Sequence, residues 1–253
     1  MNDWLKITAI DVGKGDCILL QRGDHAVLID TGYEDTAGKV LGELGAAGVK
    51  KLEALILTHF HKDHIGGVSA VLKSFGACRI YMPDFVKDSE HFYTLVRTAE
   101  DLNTEIIRVV SDRRTDFFGA QIRMFPSPFV YDGTNENDCS MVCALSFGRV
   151  SFLFAADLQK DGIAAFLKDR EEHFDVLKVP HHGNKKEGMA ELLAAVKPSV
   201  AVITDSAAKP ADDSVLEMLR ACGAAIFRTS VQGSIAIECG PDSMDVIRKD
   251  RNG

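Results

Sequence analysis

The 253-residue sequence contains no apolar run of membrane-spanning length. Its first residues, Met1-Asn2-Asp3-Trp4-Leu5-Lys6, lack the basic stretch and apolar core of a secretory leader. The six cysteines (Cys17, Cys78, Cys139, Cys143, Cys222 and Cys239) form no CxxC pair, and a chain of this length needs no disulfide staples. Reduced thiols and a cytoplasmic address are therefore expected. Positive charge is also scarce, with 29 Lys and Arg against 37 Asp and Glu, for a net charge of −8. That balance excludes a global electrostatic hold on nucleic acid, so an anionic substrate would have to be gripped locally. With 46% hydrophobic residues the chain can close a full core, and one domain over 1–253 can use all of it.

What is abundant is metal-ligand chemistry in one place. Residues 52–67 read LEALILTHFHKDHIGG. The apolar run 52–57 has the length and composition of a buried strand, and the pattern after Gly67 is helical. Between them stand His59, His61, Asp63 and His64, four ligand side chains in six positions. His59 and His61, at i and i+2, face the same way in extended backbone, whereas adjacent Asp63 and His64 must diverge. One tetrahedral ion could hardly take all four. Two ions side by side, about 3.5–4 Å apart as in two-metal hydrolases, are the economical reading.

Other segments repeat the design of an apolar strand ending in polar ligands. LIDTG places Asp30 at a strand end, SFLFAAD places Asp157 at another, and LKVPHHGN delivers His181 and His182. On residue type alone Asp30 is either a partner of the histidine turn or the N-cap of the next helix. Short strands are expected at 6–12, 17–20, 26–30, 79–82, 105–110, 120–125, 141–147, 150–155, 174–179, 200–204, 225–228, 234–238 and 244–249. Helices are expected at 35–48, 68–75, 88–102, 158–167, 187–196 and 212–222. Residues 126–138 form the longest polar connection, expected to be a loop at the mouth of a site rather than a linker. Strands come both in adjacent pairs and alternating with helices, which predicts mixed sheets covered by helices, in two halves of about 1–125 and 139–253.

THFHKDHIGG resembles the HxHxDH signature of the metallo-β-lactamase-fold hydrolases. DVGKGD, LIDTG, NDCSMV, PHHG, KPSVAVIT and FRTSVQGSI extend the resemblance along the chain to the branch typified by the hydrolase domain of ComEC-type DNA-uptake proteins. The resemblance implies an αββα sandwich of two mixed β-sheets flanked by helices, with the metals at one edge. It implies His59 and His61 on one ion, Asp63 and His64 on the other, and Asp157 bridging both. His181 is assigned to the second ion, and His182 to the substrate or a supporting position. Asp30 and Asp16 are expected to orient ligands, and Asp63 to direct the shared hydroxide and carry a proton.

Two departures stand out. Many members bring a third histidine to the first ion from the loop between the halves, but here that loop offers Asn137, Asp138 and Cys139. His91 and His173 lie in polar, solvent-facing contexts. Relatives of this branch also tend to carry a GHPH element where this chain has AAKPADDSV, residues 207–215. The expected chemistry is hydrolysis by two divalent metal ions sharing one hydroxide, with zinc, manganese or iron compatible with the ligands. The expected substrate is a phosphodiester, in nucleic acid or a small molecule, with Lys185 and Lys186 as phosphate contacts. An acyl hydrolase acting on a lactone, thioester or β-lactam, or a non-enzymatic metal-binding module, are the alternatives.

Overall fold

Central strands of the parallel sets are buried on both faces, whereas an antiparallel strand of the first sheet alternates. His25–Ile29, Ala54–Ile56, Val176–Lys178 and Val200–Ile203 are apolar almost throughout, whereas Leu5–Ala9 buries every second residue. This is the division expected when helices cover parallel strands on the outside and a second sheet covers them on the inside. The computed structural model describes residues 4–247, apart from 169 and 171.

An eight-stranded sheet runs Met244–Ile247, Ile235–Cys239, Leu5–Ala9, Ile18–Arg22, His25–Ile29, Ala54–Ile56, Arg79–Pro83, Glu105–Val109. A seven-stranded sheet runs Ala225–Arg228, Val200–Ile203, Val176–Lys178, Val150–Phe154, Val142–Phe147, Ala120–Phe125, Arg113–Phe117. Each mixes a parallel set with antiparallel hairpins. Residues of both sheets, including Ile7, Leu20, Ile56, Ile122, Phe152 and Val202, share one core. A second apolar layer joins the first sheet to the helices Ala37–Ala46, Val68–Phe75 and Glu90–Asp101. A third joins the second sheet to Lys160–Leu167, Met189–Val196 and Asp213–Ala221. Three apolar layers between four structural layers make the αββα sandwich of two mixed sheets.

Differences from the sequence reading have local causes. Arg113–Phe117 is an edge strand whose residues are mostly polar and exposed, so no apolar alternation marked it. Residues 126–138 connect two neighbouring strands of the same sheet and are thus an internal loop. The last strand is Met244–Ile247; the remainder of the expected 244–249 lies outside the described residues. The six cysteines are all free thiols. Among the described residues no helix is long and apolar enough to cross a membrane.

Candidate active site

Parallel strands carry their chemistry at their carboxyl ends, and here both sheets bring those ends to one edge. The first sheet contributes Asp30 after His25–Ile29 and the 58–64 turn after Ala54–Ile56. The second contributes Asp157, the Pro180–Gly183 turn and Thr204. The turns are tight enough to need glycine: a Cβ on Gly67 would lie 2.6 Å from the Thr31 carbonyl oxygen, and one on Gly15 2.6 Å from that of Asp63. Asp30, Ala156, His181 and His182 hold positive φ of 49–56°, a conformation non-glycine residues adopt only when the surroundings enforce it.

Four histidines each have one ring nitrogen pinned from behind. Asp30, fully buried, accepts from the Thr58 N–H (2.9 Å), the Thr58 hydroxyl (2.7 Å) and His64 Nδ1 (2.7 Å). Because Thr58 Oγ1 spends its proton on Asp30, it can only accept from His59 Nδ1, 3.1 Å away. His61 Nε2 lies 3.1 Å from Glu136 Oε2. His182 Nδ1 donates to Thr204 Oγ1 at 3.0 Å, and that hydroxyl donates to Asp16 at 2.6 Å. The other nitrogen of each ring is then the one that faces inward. His59 Nε2 and His61 Nδ1 stand 3.0 Å apart, an arrangement that a shared cation or proton must satisfy. Burial, aided by nearby His64, pushes His59 well down, and burial likewise lowers His61, so protons are disfavoured there.

Next to this pair is a second pole. One ligand atom each from Asp63, His64, Asp157 and His182 lies within 4.8 Å of all the others. His64 Nε2, His182 Nε2 and Asp157 Oδ1 are buried without a hydrogen-bond partner. Orphaned buried polar atoms converging from two imidazoles and a carboxylate fit a divalent metal ion. Burial would raise Asp157, but His182 and His64 outweigh it and hold the carboxyl well below its ordinary range. Burial opposes charge on His182 too, yet Asp157 and Asp16 push it up to about 10, and Asp157 and Asp30 likewise raise His64. A cation entering this pole must displace those protons. Metal uptake should therefore release protons, at least one per chain at pH 7, and affinity should rise with pH until about 10. Calorimetric titration in two buffers of different ionisation enthalpy measures this; zero release would contradict it.

The structure brings His59, His61, Asp63, His64, Asp157, Asp30 and Asp16 to this edge, as the sequence anticipated. For the histidine pair it reverses the expected order. His182 is 3.3 Å from Asp157 and 3.5 Å from Asp63, whereas His181 Nε2 is 3.9 Å from Asp157 and its ring is partly exposed. Consecutive left-handed residues swing His182 inward and leave His181 at the mouth. Two of the three residues offered to complete the first ion are occupied elsewhere. Asp138 Oδ1 accepts the N–H groups of Gln159 and Gly162, as an N-cap does, and Cys139 Sγ lies 3.9 Å from the Phe129 carbonyl. Asn137 Oδ1 is buried and unpartnered. His91 faces Glu34 at 3.6 Å, and His173 Nδ1 lies 2.8 Å from the Ala195 carbonyl oxygen.

Sequence reasoning missed four participants. Lys178, 2% exposed, pairs with Asp16 and donates to the Ala156 carbonyl at 3.2 Å. A lysine inside the apolar run 176–179 was the available signal. Glu136 carries no motif that marks it, and KPSVAVIT, which ends at Thr204, singles out no side chain for a role. Lys14 donates to Asn184 at 2.9 Å, and together with Lys186 it opposes protonation of His181, which burial pushes down to about 4. Lys185 is exposed, its N–H donating to Asp212 at 2.5 Å.

Comparison with known proteins agrees with this geometry. ComE operon protein 3 of Bacillus subtilis is 30% identical over 257 residues, covering 91% of this chain and 32% of that protein. Recombination protein 2 of Haemophilus influenzae is 27% identical, covering 95% and 30%. The chain thus spans about a third of the length of these relatives. The metallo-beta-lactamase fold protein YhfI from Bacillus subtilis superposes with a TM-score of 0.64 at 16% identity, covering 94% of this chain and 100% of that one. The family model described as the Metallo-beta-lactamase superfamily matches residues 10–204. With its two-sheet sandwich and its histidines and carboxylates gathered at one edge, the chain belongs to the metallo-β-lactamase superfamily, and within it is similar to part of the ComE operon and recombination proteins.

Proposed function

We propose that this chain hydrolyses a phosphodiester, in nucleic acid or a smaller molecule, with two divalent metal ions at the sheet edge. His59 Nε2 and His61 Nδ1 would hold the first ion, and Asp63, His64 and His182 the second, with Asp157 between them. Asn137 Oδ1 is the remaining candidate for the first ion. An amide oxygen in place of a third histidine makes that site harder, which favours manganese more than an all-histidine site would. When bound, such a pair supplies Lewis acidity and lowers the pKa of water toward neutrality.

The chain's own residues do the rest. Asp63, about a fifth exposed, is the cluster carboxylate nearest to solvent and is placed to orient the attacking water. Its carboxyl is held down because His182 and His64 outweigh its burial, so it stays ionised and able to accept a proton. His181, neutral near pH 7, stands at the mouth where a leaving group departs. Once a cation has displaced the inner protons, Asp30, Asp16 and Thr204 would keep the rings in the tautomers that present lone pairs inward.

The observation that carries the phosphodiester reading is the placement of Lys14 and Lys186 beside His181, local positive charge in an acidic protein. The relatives' names, ComE operon protein 3, Recombination protein 2 and Competence protein ComA, point the same way. Hydroxyacylglutathione hydrolase of Aeromonas salmonicida, 35% identical over 85 residues and 34% of this chain, keeps acyl hydrolysis as the second reading. Free thiols accord with a cytoplasmic setting.

Bis-p-nitrophenyl phosphate and a neutral lactone, assayed side by side, separate these readings. Replacing Lys14, Lys185 and Lys186 by alanine should lower kcat/KM for the phosphodiester by roughly tenfold or more, since one charge-assisted contact is worth about 1.5–3 kcal/mol. The loss should shrink as salt rises, and metal content should stay unchanged. Turnover of the lactone alone would replace this reading with the acyl one. Two bound ions with neither substrate turned over would favour a non-enzymatic module.

A further inference from the structure

The loop expected to deliver a third histidine delivers a buried carboxylate instead. Glu136 is 5% exposed, and both of its oxygens are committed to the segment His59-Phe60-His61. Its Oε1 accepts the Phe60 N–H at 2.9 Å, and its Oε2 lies 3.1 Å from His61 Nε2. Lys87 also pairs with Oε2, which offsets the cost of burying the charge. Phe60 packs edge-on against Phe85 and Phe92, so the backbone that Glu136 grips is itself immobilised.

We infer that Glu136 is a positioning residue for the first metal ion: it holds His61 as the Nε2–H tautomer and thereby aims the Nδ1 lone pair at the ion. A carboxylate accepts only, so the nitrogen facing it must carry the proton. Nδ1 is then free, 3.0 Å from His59 Nε2, to act as ligand. The other three inward-facing histidines have equivalent supports in Thr58, Asp30 and Thr204, and Glu136 completes the set. The role rests on the two-metal reading above. It matters more at this ion than at its neighbour, because the neighbour has Asp63 besides its two histidines.

Glu136→Gln isolates the role. The amide oxygen can still accept from Phe60, while the amide N–H₂ now faces His61 Nε2. That donor favours the opposite tautomer, with the proton on Nδ1, the ligand atom. Lys87, 18% exposed, can turn to solvent. Chelator competition with Mn²⁺ should show the weaker ion bound about 10–100-fold less tightly than in wild type, with the tighter ion unchanged, the usual range for removing such a support. Nitrogen-15 shifts should report His61 as the Nε2–H tautomer in metal-free wild type and as Nδ1–H in the variant. Glu136→Asp, which keeps an acceptor, should recover part of the affinity. An unchanged first-ion affinity in Glu136→Gln, or equal loss of both ions, would overturn the role. Should the variant fail to fold, the wild-type tautomer decides, and Nδ1–H there refutes the proposal. Failure of wild type to bind two ions would instead overturn the two-metal reading.

Discussion

Replacing His182 by alanine should remove the second metal ion and nearly all hydrolysis, whereas replacing His181 should leave both ions in place. His182 Nε2 sits inside the cluster with Asp63, His64 and Asp157, buried and without a hydrogen-bond partner. Its Nδ1 is fixed through Thr204 to Asp16, so the ring has one orientation and one tautomer. Metal Lewis acidity is worth several kcal/mol of transition-state stabilisation, and each 1.4 kcal/mol is tenfold in rate. The expected fall in kcat for His182→Ala is therefore on the order of a thousandfold or more. His181→Ala leaves the cluster's ligand atoms intact. A neutral His181 can accept a proton at the mouth but has none to give, and loss of such base assistance costs roughly a hundredfold to ten-thousandfold in kcat. Metal content separates the two variants regardless of rate. Loss of metal from His181→Ala, with full content in His182→Ala, would restore the assignment made from sequence.

The second large effect concerns stability. Lys178→Met should destabilise the chelator-treated protein by about 3–5 kcal/mol, the range for leaving one member of a buried ion pair uncompensated. Lys178 and Asp16 are each 2% exposed, and the ammonium also fills a position beside Asp157, 3.8 Å away. Methionine matches the stem of the side chain and leaves little void, so the loss reports the charge. The pH dependence has a defined sign. Burial would raise Asp16, but Lys178, His182 and His64 hold its carboxyl well below the ordinary 3.8. A depressed carboxylate contributes stability above its unfolded pKa, which is lost as pH falls below about 4. Lys178→Met should flatten that acid limb while lowering stability at pH 7. Urea unfolding of both proteins at several pH values checks it, and a change under about 1 kcal/mol at pH 7 would contradict the pairing.

Much of this edge was legible because it is written locally. The run 52–67 announces a strand, a break and four ligands within one turn, and the fold keeps them together. Strand ends at Asp30 and Asp157 were legible for the same reason, an apolar run stopping at a carboxylate. The order of His181 and His182 was not legible, because it depends on two consecutive left-handed residues, a pairing that the tertiary contacts enforce and no periodicity announces. Glu136, Lys178 and Thr204 were missed because their partners are distant in sequence. Glu136 is 76 residues from Phe60, and Thr204 is 188 from Asp16. Buried charge becomes meaningful only once its counter-charge is placed. The edge strand Arg113–Phe117 escaped because it buries too little to show a period.

The central claim is that two ions sit side by side at the junction of the two sheets. Diffraction from crystals grown with Mn²⁺, with data collected on both sides of the manganese absorption edge, tests it most directly. Two anomalous peaks are expected about 3.5–4 Å apart. One should lie between His59 Nε2 and His61 Nδ1, the other among Asp63, His64, Asp157 and His182. A single peak, or one deeper in the protein among Asp16, Asp30 and His64, would contradict the account.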